Sequence, residues 1–183
     1  MPQREVAEID RRHLERLRRN VTDFMASSGR RLDRPGLLLL DVAPQDHGGA
    51  RPHFPRATIE TLNIDHDSGA THIADLCQCN ADTIPGNRFD LVVCTEVLEH
   101  TLKPFKAVAE IRRLLKPGGL ALVSVPFNFR IHGPLPDCWR FTEHGLRSLF
   151  DEEEGFELLK LDALEDDERF LMPIHYTLVA RKR

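Results

Sequence analysis

Three observations predict an α/β domain whose parallel sheet is covered by helices on both faces. Short, nearly continuous apolar runs recur at 37–42, 58–64, 89–94 and 120–125, the pattern of strands buried on both sides. Segments of helical spacing flank them, and that alternation builds a parallel sheet. Several runs stop at polar residues: Asp41, Asp65 and the Cys94-Thr95-Glu96 triplet. Such residues fall at strand carboxyl ends, where open α/β sheets bind ligands.

The elements follow in order. In residues 1–34, Ile9, Leu14, Leu17, Val21 and Phe24 recur every three to four positions, an amphipathic helix with arginines on its wet face. The chain is therefore divided into a helical arm, 1–34, and a main domain, 35–183. Strands are expected at 37–42, 58–64 and 71–74, the last ending in Asp75, and at 89–94. Only 23 residues separate Asp65 from Phe89, too few for a strand, two connections and a full helix. The sheet is therefore expected to be trimmed around its third strand. A helix over 103–115 carries Pro104 in its first turn, where a missing N–H costs nothing, with Phe105, Val108, Ile111 and Leu115 as its buried stripe. Lys116-Pro117-Gly118-Gly119 ends it and feeds a fifth strand. Thr142 caps a helix over 143–151, Gly155 precedes a sixth strand at 156–161, and 174–181 is the last.

Composition narrows the function. A chain of 183 residues with 41% hydrophobic content can bury one core. A net charge of −4 argues against a general nucleic-acid binder. No apolar run approaches the ~20 residues that span a bilayer. The Arg-rich start lacks the apolar stretch of a secretory signal. Cys77, Cys79, Cys94 and Cys138 form no CxxC pair and read as reduced thiols of a cytoplasmic protein. The nine histidines show no HExxH-like spacing, so no metal is expected.

The run Phe89-Asp90-Leu91-Val92-Val93-Cys94-Thr95-Glu96-Val97-Leu98-Glu99-His100, followed by Leu115-Lys116-Pro117-Gly118-Gly119, resembles the class I S-adenosylmethionine-dependent methyltransferases. The resemblance implies a Rossmann-like fold with a mostly parallel seven-stranded sheet, an antiparallel final strand, and S-adenosylmethionine as cofactor. It also implies that the N-terminal helix is a lid or dimer-forming arm over the substrate pocket; the residues alone favour a solvated packing helix.

Asp65, after Ile64, stands where an acid should accept ribose hydroxyls. Asp75-Leu76 matches the family's adenine-contacting position, and Cys94-Thr95-Glu96 would line the wall near methionine and adenine. The first-strand loop departs from the family's D-x-G-x-G-x-G: it reads Asp41-Val42-Ala43-Pro44-Gln45-Asp46-His47-Gly48-Gly49. Ala43 adds a methyl where backbone approach should be closest and is tolerable if its φ stays negative. Gly48-Gly49 could take over the contact.

The segment from Pro126 to Thr142 resembles a branch reading V-P-F-x-x-x-x-H-x-x-P-x-D-x-W-R-F-T, associated with sugars, glycans or secondary metabolites. His132 is the candidate general base, since imidazole titrates near ~6.5, and Asp137 could orient it. Phe127, Arg130, Trp139 and Arg140 are candidate acceptor contacts, with the alternative that Trp139 and Arg140 anchor the loop. His100 is expected to cap the helix region or touch cofactor. The expected activity is methyl transfer to a hydroxyl or amine of a small, sugar-like or secondary-metabolite acceptor. The alternatives are a degenerate relative with a binding or scaffold role, motivated by the altered loop, and an RNA or protein methyltransferase.

Overall fold

The computed structural model describes residues 6–44 and 49–183, so Gly48 of the proposed Gly48-Gly49 contact lies outside the described residues. Seven strands, β1 (Leu38–Val42), β2 (Thr58–Asn63), β3 (His72–Ile73), β4 (Phe89–Thr95), β5 (Leu115–Pro126), β6 (Phe156–Leu164) and β7 (His175–Lys182), form one sheet. Their order is β3-β2-β1-β4-β5-β7-β6. The first five are parallel, and β7 runs antiparallel between β5 and β6. β1 pairs with β2 on one side and β4 on the other. Strand order therefore reverses at β1, and a crevice opens beyond its carboxyl end.

The two-residue period of the strands sorts their side chains onto two faces. Leu40, Val42, Val92, Ala121 and Val123 pack against α2 (Pro104–Leu114) and α3 (Glu143–Leu149). Leu39, Leu91, Val93, Leu122 and Val179 face Met25 of α1 (Glu8–Leu32), together with Phe54 and Ala50. No helix lies between β1 and β4 among the described residues, so α1 and the turns around 50–56 cover this face. Contact is close: a Cβ on Gly29 would sit 2.1 Å from the His53 carbonyl oxygen.

Thr142 caps α3 as expected, its Oγ1 accepting the Gly145 N–H at 3.2 Å. The expected stripe of α2 needs correction. Its buried positions are Pro104, Ala107, Val108, Glu110, Ile111 and Leu114, while Phe105 is 54% exposed. At about 100° per residue, nine positions put Phe105 diametrically opposite Leu114.

Candidate active site

Beyond the carboxyl ends of β1, β2 and β4 lies a cavity of about 780 Å3. Leu14 and Leu17 of α1 form one wall, Ala43, Asp65 and Glu96 the strand-end floor, and Phe129 and His132 the far side. Of the residues expected to hold cofactor, Ala43, Ile64, Asp65, Asp75, Leu76 and Glu96 line it. Ile64 is 66% exposed beside the exposed Asp65, whose Oδ1 accepts the Asp67 N–H at 2.9 Å. Asp75 closes a local turn, accepting the Cys77 N–H at 2.8 Å, and Leu76 is buried next to it. An exposed carboxylate, an apolar plate and a second carboxylate beside a buried leucine suit a ribose and a purine, so the residues fit an adenosyl group.

Three expectations are corrected. Asp41 is buried behind the cavity, where its Oδ2 accepts the Ala50 N–H at 2.7 Å. Burial pushes its pKa up to about 6 despite that bond and the Arg51 charge. A Cβ on Gly49 would meet the same oxygen at 2.2 Å, so the late glycine makes room for Asp41. Ala43 has φ +47°, not a negative value, and its N–H bonds the Leu62 carbonyl at 2.7 Å. Cys94 and Thr95 do not line the cavity. Cys94 shares the strand parity of Val92 and points into the core, where burial, with Glu99 nearby, raises its thiol pKa. Thr95 pairs with Ser124 in the sheet.

Glu96 begins the turn after β4 with φ +56°. Its Oε1 accepts from Ser124 Oγ and from His175 Nε2, both at 2.7 Å, while Asn20 of α1 lies 2.8 Å from His175 Nδ1. Burial alone would raise the Glu96 pKa, but His175, Ser124 and the nearby His132 hold it below the ordinary range.

The other end of the cavity is built from the 3-10 turn Leu98–His100 and the loop after β5. Glu99 is completely buried, and among the described residues no other residue donates a hydrogen bond to either of its oxygens. Burial and the Glu96 charge drive its pKa well up, against weaker pulls from its own backbone N–H and Arg140. His100 donates from Nδ1 to the Pro136 carbonyl at 3.0 Å. His132 Nδ1 lies 3.0 Å from Asp137 Oδ2, an ion-pair distance though not an aligned hydrogen bond. The Nε2 atoms of both histidines face Glu99 Oε1, each at 3.8 Å. Asp137 accepts the His132 backbone N–H at 2.9 Å and two bonds from Arg140, and Arg140, more than burial can offset, keeps its carboxyl far below the usual range.

None of the four expected acceptor contacts lines the cavity. Phe127 packs edge-on to Tyr176. Arg130 is exposed and offers its carbonyl to Arg140, which also bonds the Phe129 carbonyl and so staples the loop. Trp139 donates its indole N–H to the Thr101 carbonyl at 2.7 Å and stacks on Phe141. Sequence reasoning missed Glu99 as a buried partner of His132, and missed His175 and Asn20 behind Glu96. Only the adjacency of Glu99 and His100 in the β4 motif signalled the first; no spacing signalled the others.

Residues 11–161 match the family model described as a methyltransferase domain. The ubiquinone biosynthesis O-methyltransferase of Haemophilus ducreyi is 31% identical over 87 residues, 46% of this chain and 30% of that protein. The demethylmenaquinone methyltransferase of Renibacterium salmoninarum is 30% identical over 124 residues, 63% of this chain and 51% of its own length. The matches thus span about a third and about half of these curated relatives' lengths. The crystal structure of Burkholderia thailandensis 1,6-didemethyltoxoflavin-N1-methyltransferase, with that compound and S-adenosylhomocysteine bound, superposes with a TM-score of 0.62. It covers 98% of this chain and 92% of the other at 16% identity, a likeness of fold. With its reversing strand order, antiparallel β7 and matched family model, the chain belongs to the class I S-adenosylmethionine-dependent methyltransferases.

Proposed function

We propose that the protein methylates a hydroxyl group of a small molecule, using S-adenosylmethionine. The observation that carries this reading is one continuous cavity with two differently equipped ends: Asp65, Asp75 and Leu76 at one, His100 and His132 at the other. Bound at the first end, the cofactor supplies the methyl group. Asp65 holds the ribose, while Asp75 and Leu76 hold the base. Leu14 and Leu17 of α1 act as the lid, which keeps water from the reacting centre.

The two imidazoles are where the acceptor's reacting group is held, with Asp137 as positioning residue behind His132. Apolar walls with few convergent polar groups suit a small organic acceptor. The names of the two curated relatives, which place methylation in ubiquinone biosynthesis and on demethylmenaquinone, support an acceptor of that size over RNA or protein. Alignment of acceptor and methyl donor does most of the work in such a transfer.

Calorimetric titration with S-adenosylhomocysteine tests the cofactor end. Wild type is expected to bind, and Asp65→Ala to weaken binding by about 1–3 kcal/mol, the cost of leaving polar partners unpaired. Absence of binding by wild type at millimolar ligand would favour the degenerate-relative alternative that the Ala43 loop raises. An unchanged affinity in Asp65→Ala would move the ribose elsewhere. Transfer of labelled methyl to hydroxylated small molecules then tests the acceptor class.

A further inference from the structure

We propose that Glu99, His100 and His132 form a binding site for one divalent transition-metal cation of the Zn2+ or Mn2+ class, with its remaining coordination positions open to the cavity. The three ligand atoms lie within 4.8 Å of one another. Glu99 is wholly buried with both oxygens unmatched by any other described residue, an arrangement that costs free energy unless something positive completes it. The 3.8 Å separations from Glu99 Oε1 to both Nε2 atoms are too long for hydrogen bonds. A cation about 2.0–2.2 Å from imidazole nitrogen and carboxylate oxygen would fit between them after a contraction of a few tenths of an ångström.

The outer contacts of the histidines point the same way. Pro136 offers only a carbonyl oxygen, so His100 must carry its proton on Nδ1 and presents the Nε2 lone pair inward. On the other ring, Nδ1 faces the Asp137 carboxylate and Nε2 again points at Glu99. Carboxylates and carbonyls behind the distal ring nitrogen orient metal-binding histidines. The guanidinium of Arg140 is engaged by Asp137 and donates no hydrogen bond to Glu99.

Two imidazoles and one carboxylate favour a first-row transition ion over Ca2+ or Mg2+, which prefer all-oxygen shells. Three protein ligands leave positions free, as in catalytic rather than structural sites. This inference rests on reading the cavity as a methyl-transfer site: an acceptor hydroxyl at the open position would be held by the ion and made more acidic, its proton leaving to bulk water across the cavity's exposed border at Leu102 and Pro134. His132 is then a ligand, which replaces the general-base role expected from the sequence.

The experiment titrates the tag-free full chain, stripped with chelator, with Zn2+ by calorimetry and with Co2+ by visible absorption. One ion per chain is expected, with a Co2+ ligand-field band. Glu99→Gln and His100→Gln should each weaken binding at least tenfold, and Glu60→Gln, on β2 where the carboxylate is already paired with His72 and Arg88, should not. Circular dichroism confirms that each variant is folded, and having two independent ligand variants keeps the test decisive. No saturable binding at millimolar Zn2+, or affinity indifferent to both ligand variants, overturns the proposal. S-adenosylhomocysteine binding is measured on the same samples. Cofactor binding without metal binding sinks the cation site alone; metal binding without cofactor binding leaves the site standing and sinks the methyl-transfer reading.

Discussion

Glu99 and Glu110 lie eleven residues apart, both almost fully buried, yet their surroundings are opposite. Glu110 accepts from Arg113 Nε and Nη2 at 2.7 and 2.8 Å, and from the Asn80 backbone and side chain, both at 3.0 Å. Burial pushes its pKa up, but those donors outweigh it and leave the carboxyl more acidic than usual. Glu99 has no such donors and moves the other way. Glu110 has the marks of architecture, tying α2 to the turn after β3. Glu99 has the marks of a group kept for something that arrives. Burial alone does not separate the two; the completeness of the hydrogen-bond shell does.

The same isosteric change at both sites sharpens that contrast. Glu110→Gln should destabilise the protein by about 3–4 kcal/mol, because it strands a mostly buried guanidinium. Glu99→Gln, in metal-free protein, should cost under about 1 kcal/mol, since no partner is lost. Urea unfolding measures both, and equal losses would erase the distinction.

Asp41 stands between these extremes, with one backbone donor and a pKa raised from 3.8 to about 6. Between those values the folded state keeps a proton that the unfolded state has released, so stability should fall as pH rises from about 4 to 6, by about 3 kcal/mol in all. Asp41→Asn retains the acceptor for Ala50 and should remove this carboxyl's share of the pH dependence, about 3 kcal/mol over the interval. A pH dependence identical in wild type and Asp41→Asn would show that Asp41 titrates normally.

The smallest expected effect belongs to Ala43. Its left-handed backbone strains any residue with a Cβ, so Ala43→Gly should raise stability by about 0.5–1 kcal/mol after the added chain entropy of glycine. Binding of S-adenosylhomocysteine should hold or tighten. A collapse of that affinity would show the alanine methyl to be a required contact.

The sheet was legible because buried parallel strands leave long apolar runs, and because Pro104 and Thr142 mark helix starts by local chemistry. The trimmed edge was legible from chain length alone. Side-chain direction was harder to read. Cys94 looked like a wall residue until strand parity placed it with Val92. Arg130, Trp139 and Arg140 looked like ligand contacts because a loop rich in aromatic and basic residues has the same composition whether it grips a ligand or itself. Glu99 was quoted within a motif, but its meaning depends on His132, which lies 33 positions away and is brought close only by the β5 crossover.

The way α1 is anchored bears on how molecules reach the cavity. One stretch of α1 walls the cavity through Leu14 and Leu17, while Met25 is sealed under the sheet with Leu39 and Leu91. Near the helix's start, His13 lies 3.1 Å from the Asn128 carbonyl and 3.2 Å from Asp166. Swinging the helix aside would strip one face of the core and unlatch its front end together. Entry is therefore expected along the exposed border of the cavity, where Ile64, Leu102 and Pro134 line it, rather than by a swing of the helix.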